Sequence, residues 1–438
     1  MTLFFYNVAL FLALVVGAPW WLWRMATTRK YSEGLGQRLG RVPKRLMQEP
    51  GSEAARPLIW LHAVSVGELL AVTRLVKALE AALPGYQVAI STTTRTGHAL
   101  ARERFGANRV FYCPLDLPWA VSAYLRALDP SLLILAETEF WPNLLSGCFR
   151  REIPVAVVNA RISDRSWPRY EKLPLLWRPL LARLGCVLAQ TQTDADRLLA
   201  LGCLPERVSV AGNLKFDVRV VEEADATRIL KSLIPGLRLF VAGSTLEDEE
   251  AMLIAEWPRM LAANPRLAMV LAPRHPERFN AVATLLEKSG KLWCRRSDWK
   301  TRPARPLRPG EIVLLDTIGE LASIYSLASV AFVGGSMVRA GGHNPLEPAQ
   351  FGVPVVMGPH YANFTAITDS LRKADALRIA EEQDLATLLI ALINDREMAV
   401  AMGARAIEVF ERYAGATDRC VTAICRLLGV NAAGEPRP

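Results

Sequence analysis

The amino-acid sequence predicts an α/β fold with two doubly wound parallel-sheet domains and an apolar helix ahead of them. Three observations support this prediction. Short apolar runs alternate with helical segments in both halves of the chain. Polar or glycine-rich clusters follow these runs, as they do where parallel strands end at a ligand site. A charged stretch over 219–236, ending in Pro235–Gly236, separates the halves and is interpreted as a linker.

The length and composition allow two or three domains and favour an anionic partner. The chain has 438 residues, of which 51% are hydrophobic, and a formal net charge of +9. This balance suits nucleic acid, acidic lipid or a phosphorylated substrate. The basic residues are spread widely, which disfavours nucleic acid. Seven cysteines without a CxxC pair indicate buried thiols in a reducing compartment, not a disulfide framework or a zinc site.

The first segment, Leu3–Trp23, carries no charge and is about long enough to cross a bilayer, which needs ~20 apolar residues. Tryptophans cluster near its end, where an interfacial aromatic belt would lie: Trp20, Trp21 and Trp23. Basic residues follow directly: Arg24, Arg29, Lys30, Arg38, Arg41, Lys44 and Arg45. This order predicts an uncleaved anchor over 1–24 in the inner (plasma) membrane, with the domains on the cytoplasmic face. A buried or interfacial helix is the alternative, and Pro19 is compatible with it.

The first domain is predicted over 50–218. Its strands are five apolar runs: Leu58–His62, Val88–Ser91, Leu132–Ala136, Val155–Val158 and Val187–Ala189. Because ligands bind beyond the carboxyl ends of parallel strands, the polar residues that follow them are candidate site residues. These residues are Ser65, Glu68, Thr92–Arg95, Glu137, Glu139, Asn159 and Arg161.

Glu68 is the first catalytic candidate because it follows a glycine at the end of a strand and opens a helix. A carboxylate there could accept a proton from an acceptor hydroxyl. An equally weighted reading is a first-turn glutamate that the helix dipole favours. Glu137 and Glu139 flank Thr138, so at most one of them is expected to face a ligand directly. Lys215, after the run Val208–Asn213, could contact a phosphate or an acidic sugar, or be only a surface charge.

The second domain is predicted over 237–428. Its strands are again short apolar runs: Leu239–Ala242, Ala268–Ala272, Ile312–Leu315, Ala331–Val333 and Pro354–Met357. The distinctive segment is Phe332–Ala349, with two glycine pairs. Asn344 is predicted to cap a helix that starts at Pro345, whose free N–H groups would suit a phosphate. Glu347 could close a capping box or bind a pair of sugar hydroxyls. An ordinary strand-to-helix loop is the alternative.

The motifs along the chain resemble those of one family in content and order. They are HAVSVGE, ETEFWPN, NARIS, GNLKFD, GST, PRHPER, DTIGEL and GGSMVRAGGHNPLEP. This series is similar to that of the 3-deoxy-D-manno-octulosonic acid (Kdo) transferases of lipopolysaccharide synthesis. The resemblance covers nearly the whole chain, including the amino-terminal anchor.

The resemblance implies a GT-B glycosyltransferase fold, with two Rossmann-like domains facing across a cleft. It implies CMP-Kdo as the donor, the lipid A precursor lipid IVA as the acceptor, anionic membrane lipids as surroundings, and neither a metal nor another cofactor. Glu68 would be the general base of an inverting transfer, and Glu137 and Lys215 would stabilise the transition state. The implied CMP-binding residues are Pro273, Arg274, Ile318, Gly319, Glu320, Asn344, Pro345, Leu346 and Glu347.

Two alternatives remain, one another GT-B enzyme that acts on a nucleotide sugar and one a protein from another class. A UDP-dependent transferase or epimerase would share the fold and the phosphate-binding loops. A non-catalytic, membrane-bound protein that binds nucleotides or polyanions would share the charge and the anchor. The placement of Glu68 at a strand end favours an enzyme over a binding protein.

Overall fold

A computed structural model describes residues 2–28, 33–46, 56–217, 219–220, 223–300 and 305–430. The chain divides into two compact units. The first unit comprises Met1–Asp217 and Gly415–Pro438, and the second comprises Val218–Ala414. Each unit is built around its own parallel sheet, as the alternation of apolar runs and helical segments predicted.

The first unit contains a parallel sheet of seven strands in the order β3-β2-β1-β4-β5-β6-β7. The strands are β1 Leu58–His62, β2 Gln87–Thr92, β3 Val110–Tyr112, β4 Leu132–Ala136, β5 Val155–Ala160, β6 Cys186–Ala189 and β7 Val208–Val210. The helices are α1 Thr2–Thr28, α2 Leu35–Arg38, α3 Val66–Ala82, α4 Arg95–Phe105, α5 Pro118–Leu128, α6 Pro142–Arg150, α7 Trp167–Glu171, α8 Pro174–Leu181 and α9 Gln192–Ala200.

Strands β1, β4 and β5 are buried at every position because helices cover both faces of the sheet. Successive side chains of β1 therefore enter different cores. Trp60 packs into one apolar cluster, and Ile59 and Leu61 pack into the other. The strand order reverses between β1 and β4, which pair directly, with His62 opposite Leu135. Such a reversal is where open α/β sheets bind their ligands.

The second unit repeats this arrangement with the strand order β10-β11-β9-β8-β12-β13-β14. Its strands are β8 Arg238–Thr245, β9 Leu267–Pro273, β10 Trp293–Arg295, β11 Ile312–Leu314, β12 Val330–Val333, β13 Val355–Met357 and β14 Leu377–Ile379. Its helices are α10 Asp225–Leu233, α11 Glu249–Ala263, α12 Phe279–Lys288, α13 Leu321–Ile324, α14 Leu346–Ala349, α15 Thr365–Lys373, α16 Leu385–Asn394 and α17 Arg396–Tyr413. The strand order reverses between β8 and β12.

Two predicted boundaries differ from the structure. Residues 219–236 were interpreted as a linker, but Asp225–Leu233 is a helix whose Ala226, Leu230 and Leu233 are buried in a core of the second unit. The last helix, α18 Ala416–Leu427, was assigned to the second domain, yet it belongs to the first unit. It packs there because Cys420, Ile424 and Cys425 join the apolar cluster that contains Leu61. The predicted range 237–428 for the second domain therefore extends past the end of the second unit at Ala414.

The chain leaves the first unit after Asp217 and re-enters it at Gly415, and the Asp217 side chain forms hydrogen bonds that connect these two points. The side chain accepts hydrogen bonds from Gly415 N (3.1 Å) and Thr417 N (2.7 Å), at the start of α18. Burial would raise the pKa of Asp217, but the bonds from Thr417 and Gly415 and the charge of Arg74 hold it below its usual value. The carboxylate therefore acts as the N-terminal cap of α18.

Helix α1 is the described part of the predicted anchor. Thr2–Trp20 has a mean hydropathy of 1.9, so by length and composition it could cross a membrane. Near its start, the Tyr6 hydroxyl donates to the Asp116 carboxylate (2.9 Å). The side-chain amide of Asn143 donates to Asn7 Oδ1 (2.7 Å). The helix is therefore bonded to the body of the first unit near its amino end. The predicted Arg29 and Lys30 lie outside the described residues.

We expect Asp217→Asn to lower the free energy of unfolding at pH 7 by about 1.5–3 kcal/mol, the usual contribution of a hydrogen bond to a charged group. The folded-state pKa is below the unfolded one, so the stabilisation is complete above the unfolded pKa and is lost as the pH falls through the folded pKa. Chemical unfolding measures this change. The difference in unfolding free energy between the wild type and Asp217→Asn should be smaller below about pH 4, the ordinary aspartate pKa, than at pH 7.

The matched control is Asp418→Asn, which changes an exposed carboxylate on the same helix. It should alter the unfolding free energy by about 0.5 kcal/mol or less. A difference for Asp217→Asn that stays constant across this pH range would contradict the cap assignment.

Candidate active site

Glu68 lies at the carboxyl end of β1, beside the reversal of strand order in the first sheet. It stands on the first turn of α3, after the cap residue Ser65. The Ser65 hydroxyl donates to Glu68 Oε1 (2.8 Å) and accepts from Glu68 N (3.3 Å), and Val64 N donates to Oε2 (2.7 Å). Glu68 therefore closes a variant of the capping box, in which Val64 N replaces the N–H of the cap residue, and these bonds hold its carboxylate in one position at the strand end.

The environment of Glu68 makes its carboxylate more basic. Glu68 is 8% exposed. Burial raises the pKa of Glu68, the bonds from Val64 and Ser65 lower it, and the net shift is upward. The charge of Glu137 raises this pKa further and the charge of Lys215 lowers it. A carboxyl group with a raised pKa is a better proton acceptor near neutral pH.

Glu137 follows β4, the direct neighbour of β1, and its side chain forms an ion pair with Lys215. The distance from Lys215 Nζ to Glu137 Oε1 is 3.6 Å. The Glu137 backbone has φ +58°, which is uncommon for a residue other than glycine. Its N–H donates to Val158 O (2.9 Å), so the pairing with β5 holds the residue in this conformation. The strand ends thus bring the three predicted catalytic residues Glu68, Glu137 and Lys215 into one electrostatically coupled group.

A network of side-chain amides positions Lys215. Lys215 N donates to Asn213 Oδ1 (2.9 Å), and Asn213 Nδ2 donates to Gln190 Oε1 (2.9 Å). Gln190 Nε2 donates to Asn159 O (3.0 Å), while Asn159 Oδ1 accepts from Leu214 N (3.0 Å). The supporting role of Gln190 was not predicted. Its only signal in the sequence is its position directly after a strand.

Glu139 belongs to the same group of charges. Burial raises the pKa of Glu139 to about 7, and the charges of Glu68 and Glu137 contribute to the increase. Both acids that follow β4 therefore interact with Glu68. The expectation that at most one of them contacts a ligand directly stays a prediction.

In the second unit, the predicted nucleotide-binding residues lie at the end of β9 and in the segments that follow β9, β11 and β12. Pro273 ends β9 and is buried, whereas the Arg274 side chain is exposed. Arg274 N donates to Thr245 O (2.9 Å) at the end of β8. Arg274 therefore lies beside the end of β8, one of the two strands at the reversal of strand order, and its exposed guanidinium is suited to a fork-like contact with a phosphate.

The prediction for the segment 344–347 is corrected in one respect. Asn344 Oδ1 accepts from Leu346 N (3.0 Å), so Asn344 does act as a local cap. However, the helix that follows, α14, has only four residues, and Pro345 precedes it. The chain turns away after this helix at Gly352, whose φ of +68° is not helical. A single short turn lacks the aligned peptide dipoles of a long helix.

The side chains of this segment are partly buried and sensitive to charge. Burial raises the pKa of Glu347 to about 7, and the charge of Arg274 opposes the increase. Burial lowers the pKa of His343 to about 4, with the charges of Arg274 and His275 acting in the same direction. Arg274 therefore interacts with both residues. Leu346 is fully buried, so its side chain serves packing.

The predicted residues Ile318, Gly319 and Glu320 lie in the loop after β11. Ile318 is 79% exposed, and Gly319 has φ +89°, a conformation that favours glycine. Glu320 accepts from Arg296 Nη2 (2.8 Å) and from the Thr317 hydroxyl. The Glu320 carboxylate is therefore committed to holding the loop, while Ile318 and Gly319 present an open surface.

In the part of the chain that the structure describes, no group of three or more His, Cys, Asp and Glu side chains is arranged to hold a metal ion. The seven cysteines are free thiols.

Comparison with known proteins identifies relatives of the chain. The family described as 3-deoxy-D-manno-octulosonic-acid transferase (kdotransferase) matches residues 33–218. A 3-deoxy-D-manno-octulosonic acid transferase of Haemophilus influenzae is 36% identical over 82% of this chain and 85% of the relative. One from Bordetella pertussis is 35% identical over 93% of this chain and 96% of the relative.

Among solved structures, a putative UDP-N-acetylglucosamine 2-epimerase from Listeria monocytogenes has a TM-score of 0.52 at 14% identity, covering 88% of this chain and all of that one. This likeness concerns the fold alone and agrees with the predicted GT-B architecture. The extent and identity of the sequence matches establish that this chain belongs to the 3-deoxy-D-manno-octulosonic acid transferase family.

Proposed function

We propose that this chain transfers Kdo from CMP-Kdo to the lipid A precursor lipid IVA in lipopolysaccharide synthesis. Its membership of the transferase family supports the Kdo transfer. The single observation that supports the chemistry is the buried Glu68 carboxylate, coupled to Glu137 and Lys215 at the reversal of strand order. The identity of the donor and acceptor rests on the resemblance of the motifs.

In the proposed reaction, Glu68 takes the proton from a sugar hydroxyl of the acceptor. The hydroxyl oxygen forms a bond to the anomeric carbon of Kdo, and the bond from that carbon to the phosphate oxygen breaks. CMP leaves with the electron pair, and the anomeric configuration inverts. Because bond breaking leads, the transition state has oxocarbenium character, which the Glu137 carboxylate would stabilise. Lys215, paired with Glu137, holds that carboxylate in place.

The second unit would bind the nucleotide. The exposed Arg274 guanidinium is suited to the CMP phosphate, whose negative charge grows as the bond breaks. The Glu347 carboxyl group, on α14 and within the electrostatic influence of Arg274, is suited to the ribose hydroxyls. Ile318 and Gly319 would contact the base through the open surface of their loop. We further propose that the reaction needs no metal, since Arg274 and backbone N–H groups supply the positive charge.

We propose that α1 attaches the chain to the cytoplasmic face of the inner membrane. Large apolar side chains along the helix are exposed, among them Phe4, Phe11 and Val16. The bonds from Tyr6 and Asn7 to the first unit place the amino end of α1 beside α6. These bonds hold the amino end of α1 against the rest of the first unit. They favour a helix that lies at the membrane surface beside this unit, which is the interfacial alternative that Pro19 allows, over a helix that crosses the bilayer away from the unit.

The Glu68→Gln variant should lose turnover by about 10²–10⁴-fold, the usual contribution of a general base. Glutamine can still close the capping box, so α3 should stay folded and CMP binding should be unchanged. Transfer should be followed by mass spectrometry of the lipid product with EDTA present. The control is Glu80→Gln on the same helix, which should keep full activity. Normal turnover in Glu68→Gln would exclude Glu68 as the base. Separately, loss of wild-type activity on addition of EDTA would exclude a metal-free reaction.

The Arg274→Ala variant should weaken CMP binding by about tenfold or more, the effect expected for a charge-assisted phosphate contact. Calorimetric titration with CMP measures this change, and Arg266→Ala, which removes an exposed arginine next to the start of β9, is the control. Unchanged affinity in Arg274→Ala would contradict the phosphate assignment. A wild-type preference for UDP over CMP would instead favour the UDP-dependent alternative.

Removal of residues 2–28 should abolish sedimentation with vesicles that contain acidic lipids, because the apolar helix is lost. The double variant Tyr6→Phe/Asn7→Ala should still bind vesicles, because the apolar helix is unchanged. It should weaken the attachment of α1 to the rest of the first unit, which faster protease cleavage after α1 would show. Continued sedimentation of the truncated chain would contradict attachment through α1.

A further inference from the structure

Glu249 is a buried carboxylate that no predicted role includes. It opens α11, directly after the loop that follows β8, and it is 1% exposed. Its Oε2 accepts from Leu246 N (2.9 Å) and Gly335 N (2.8 Å). Its Oε1 accepts from Ser336 N (3.0 Å) and Met337 N (2.9 Å). One side chain therefore satisfies four backbone donors on two different loops.

This geometry requires two acceptor oxygens. An ionised carboxylate has two oxygens and no donor, so it matches four N–H groups that converge on it. A glutamine of the same size would turn an NH₂ group toward two of these donors. The donors would then be buried without an acceptor, which carries a large energetic cost. The glycine at 334 belongs to the same packing, because a Cβ there would lie 2.6 Å from Ser244 O.

The two loops that Glu249 joins lead to two of the three proposed nucleotide-binding segments, the one with Arg274 and the one that begins at Asn344. On one side, Leu246 follows Thr245, whose carbonyl accepts from Arg274 N (2.9 Å). On the other side, Gly335 O accepts from Gly342 N (2.7 Å), and Gly334 O accepts from His343 N (3.1 Å). These two bonds close the glycine loop immediately before Asn344. A continuous series of hydrogen bonds and intervening backbone through the Glu249 side chain therefore connects Arg274 to Asn344 and contributes to their relative position.

We propose that Glu249 is a positioning residue that fixes the spacing between the Arg274 and Asn344–Glu347 segments and so prepares the CMP site before the nucleotide binds. This proposal rests on the proposed function. Glu249 itself touches neither the donor nor the acceptor in this account. It acts by holding Gly335, Ser336 and Met337 against the end of β8.

The test is steady-state kinetics of Glu249→Gln together with amide hydrogen exchange. The KM for CMP-Kdo and the Kd for CMP should rise by about tenfold or more, while kcat changes less, because loop order is restored once the donor is bound. In the nucleotide-free variant, the amides of Gly335, Ser336 and Met337 should exchange faster than in the wild type. The addition of saturating CMP should reverse part of this increase.

The matched control is Glu311→Gln, which removes another buried carboxylate of the same unit. Glu311 is fully buried and accepts from Arg308 N (2.9 Å) and from the Arg305 guanidinium, before the start of β11. This variant should lose stability to a comparable degree but keep the wild-type KM for CMP-Kdo. Equal changes of KM in both variants would overturn the positioning role, as would an unchanged KM in Glu249→Gln.

If Glu249→Gln fails to fold, hydrogen exchange of the wild-type protein without nucleotide still tests the proposal. The amides of Gly335, Ser336 and Met337 should then be protected as strongly as those of β8, and rapid exchange would overturn it. Failure of wild-type protein to bind CMP would refute the proposed function, whereas protection of these amides reports on the loop contacts alone.

Discussion

The electrostatic coupling of the buried Glu68 to Glu137 and Lys215 is the interaction on which the proposed chemistry depends. Burial alone makes a carboxylate costly, and the capping bonds from Ser65 and Val64 offset part of that cost. Burial is the largest cause of the upward shift of the Glu68 pKa, and the charges of Glu137, which raises it, and Lys215, which lowers it, modify that shift. The proton affinity of the proposed base therefore responds to residues from the ends of different strands.

The same topological feature organises both units. In the first unit the strand order reverses between β1 and β4, and Glu68 and Glu137 follow those two strands. In the second unit it reverses between β8 and β12, and Glu249 bonds the loops that follow them. Parallel strands leave polar backbone groups at the reversal, and side chains there can bind a ligand or the loops themselves. One unit presents carboxylates and a lysine, and the other presents an arginine and a glycine loop.

Much of this could be predicted from the sequence. The long, fully buried strands β1 and β4 were predicted with their observed bounds, because parallel strands appear as uninterrupted apolar runs. Strands β3, β10 and β14 were missed; each is a three-residue strand at the edge of its sheet, and β10 and β14 each contain an arginine that interrupts the apolar run. The assignment of α18 required long-range packing of Cys420 and Ile424, which local sequence does not encode. The role of Glu249 was also missed. The local sequence around a first-turn glutamate is the same whether its side chain is exposed to solvent or accepts from four N–H groups, three of which are distant in the sequence.

The pH dependence of kcat/KM in charge variants tests the central claim most directly. Glu68 must be deprotonated to act as the base, so activity should fall as the pH drops through its pKa. We expect Lys215→Met to move this acidic limb to higher pH and Glu137→Gln to move it to lower pH, independently of any loss in maximal rate. Acidic limbs that stay at the wild-type position in both variants would contradict the coupling of these three residues.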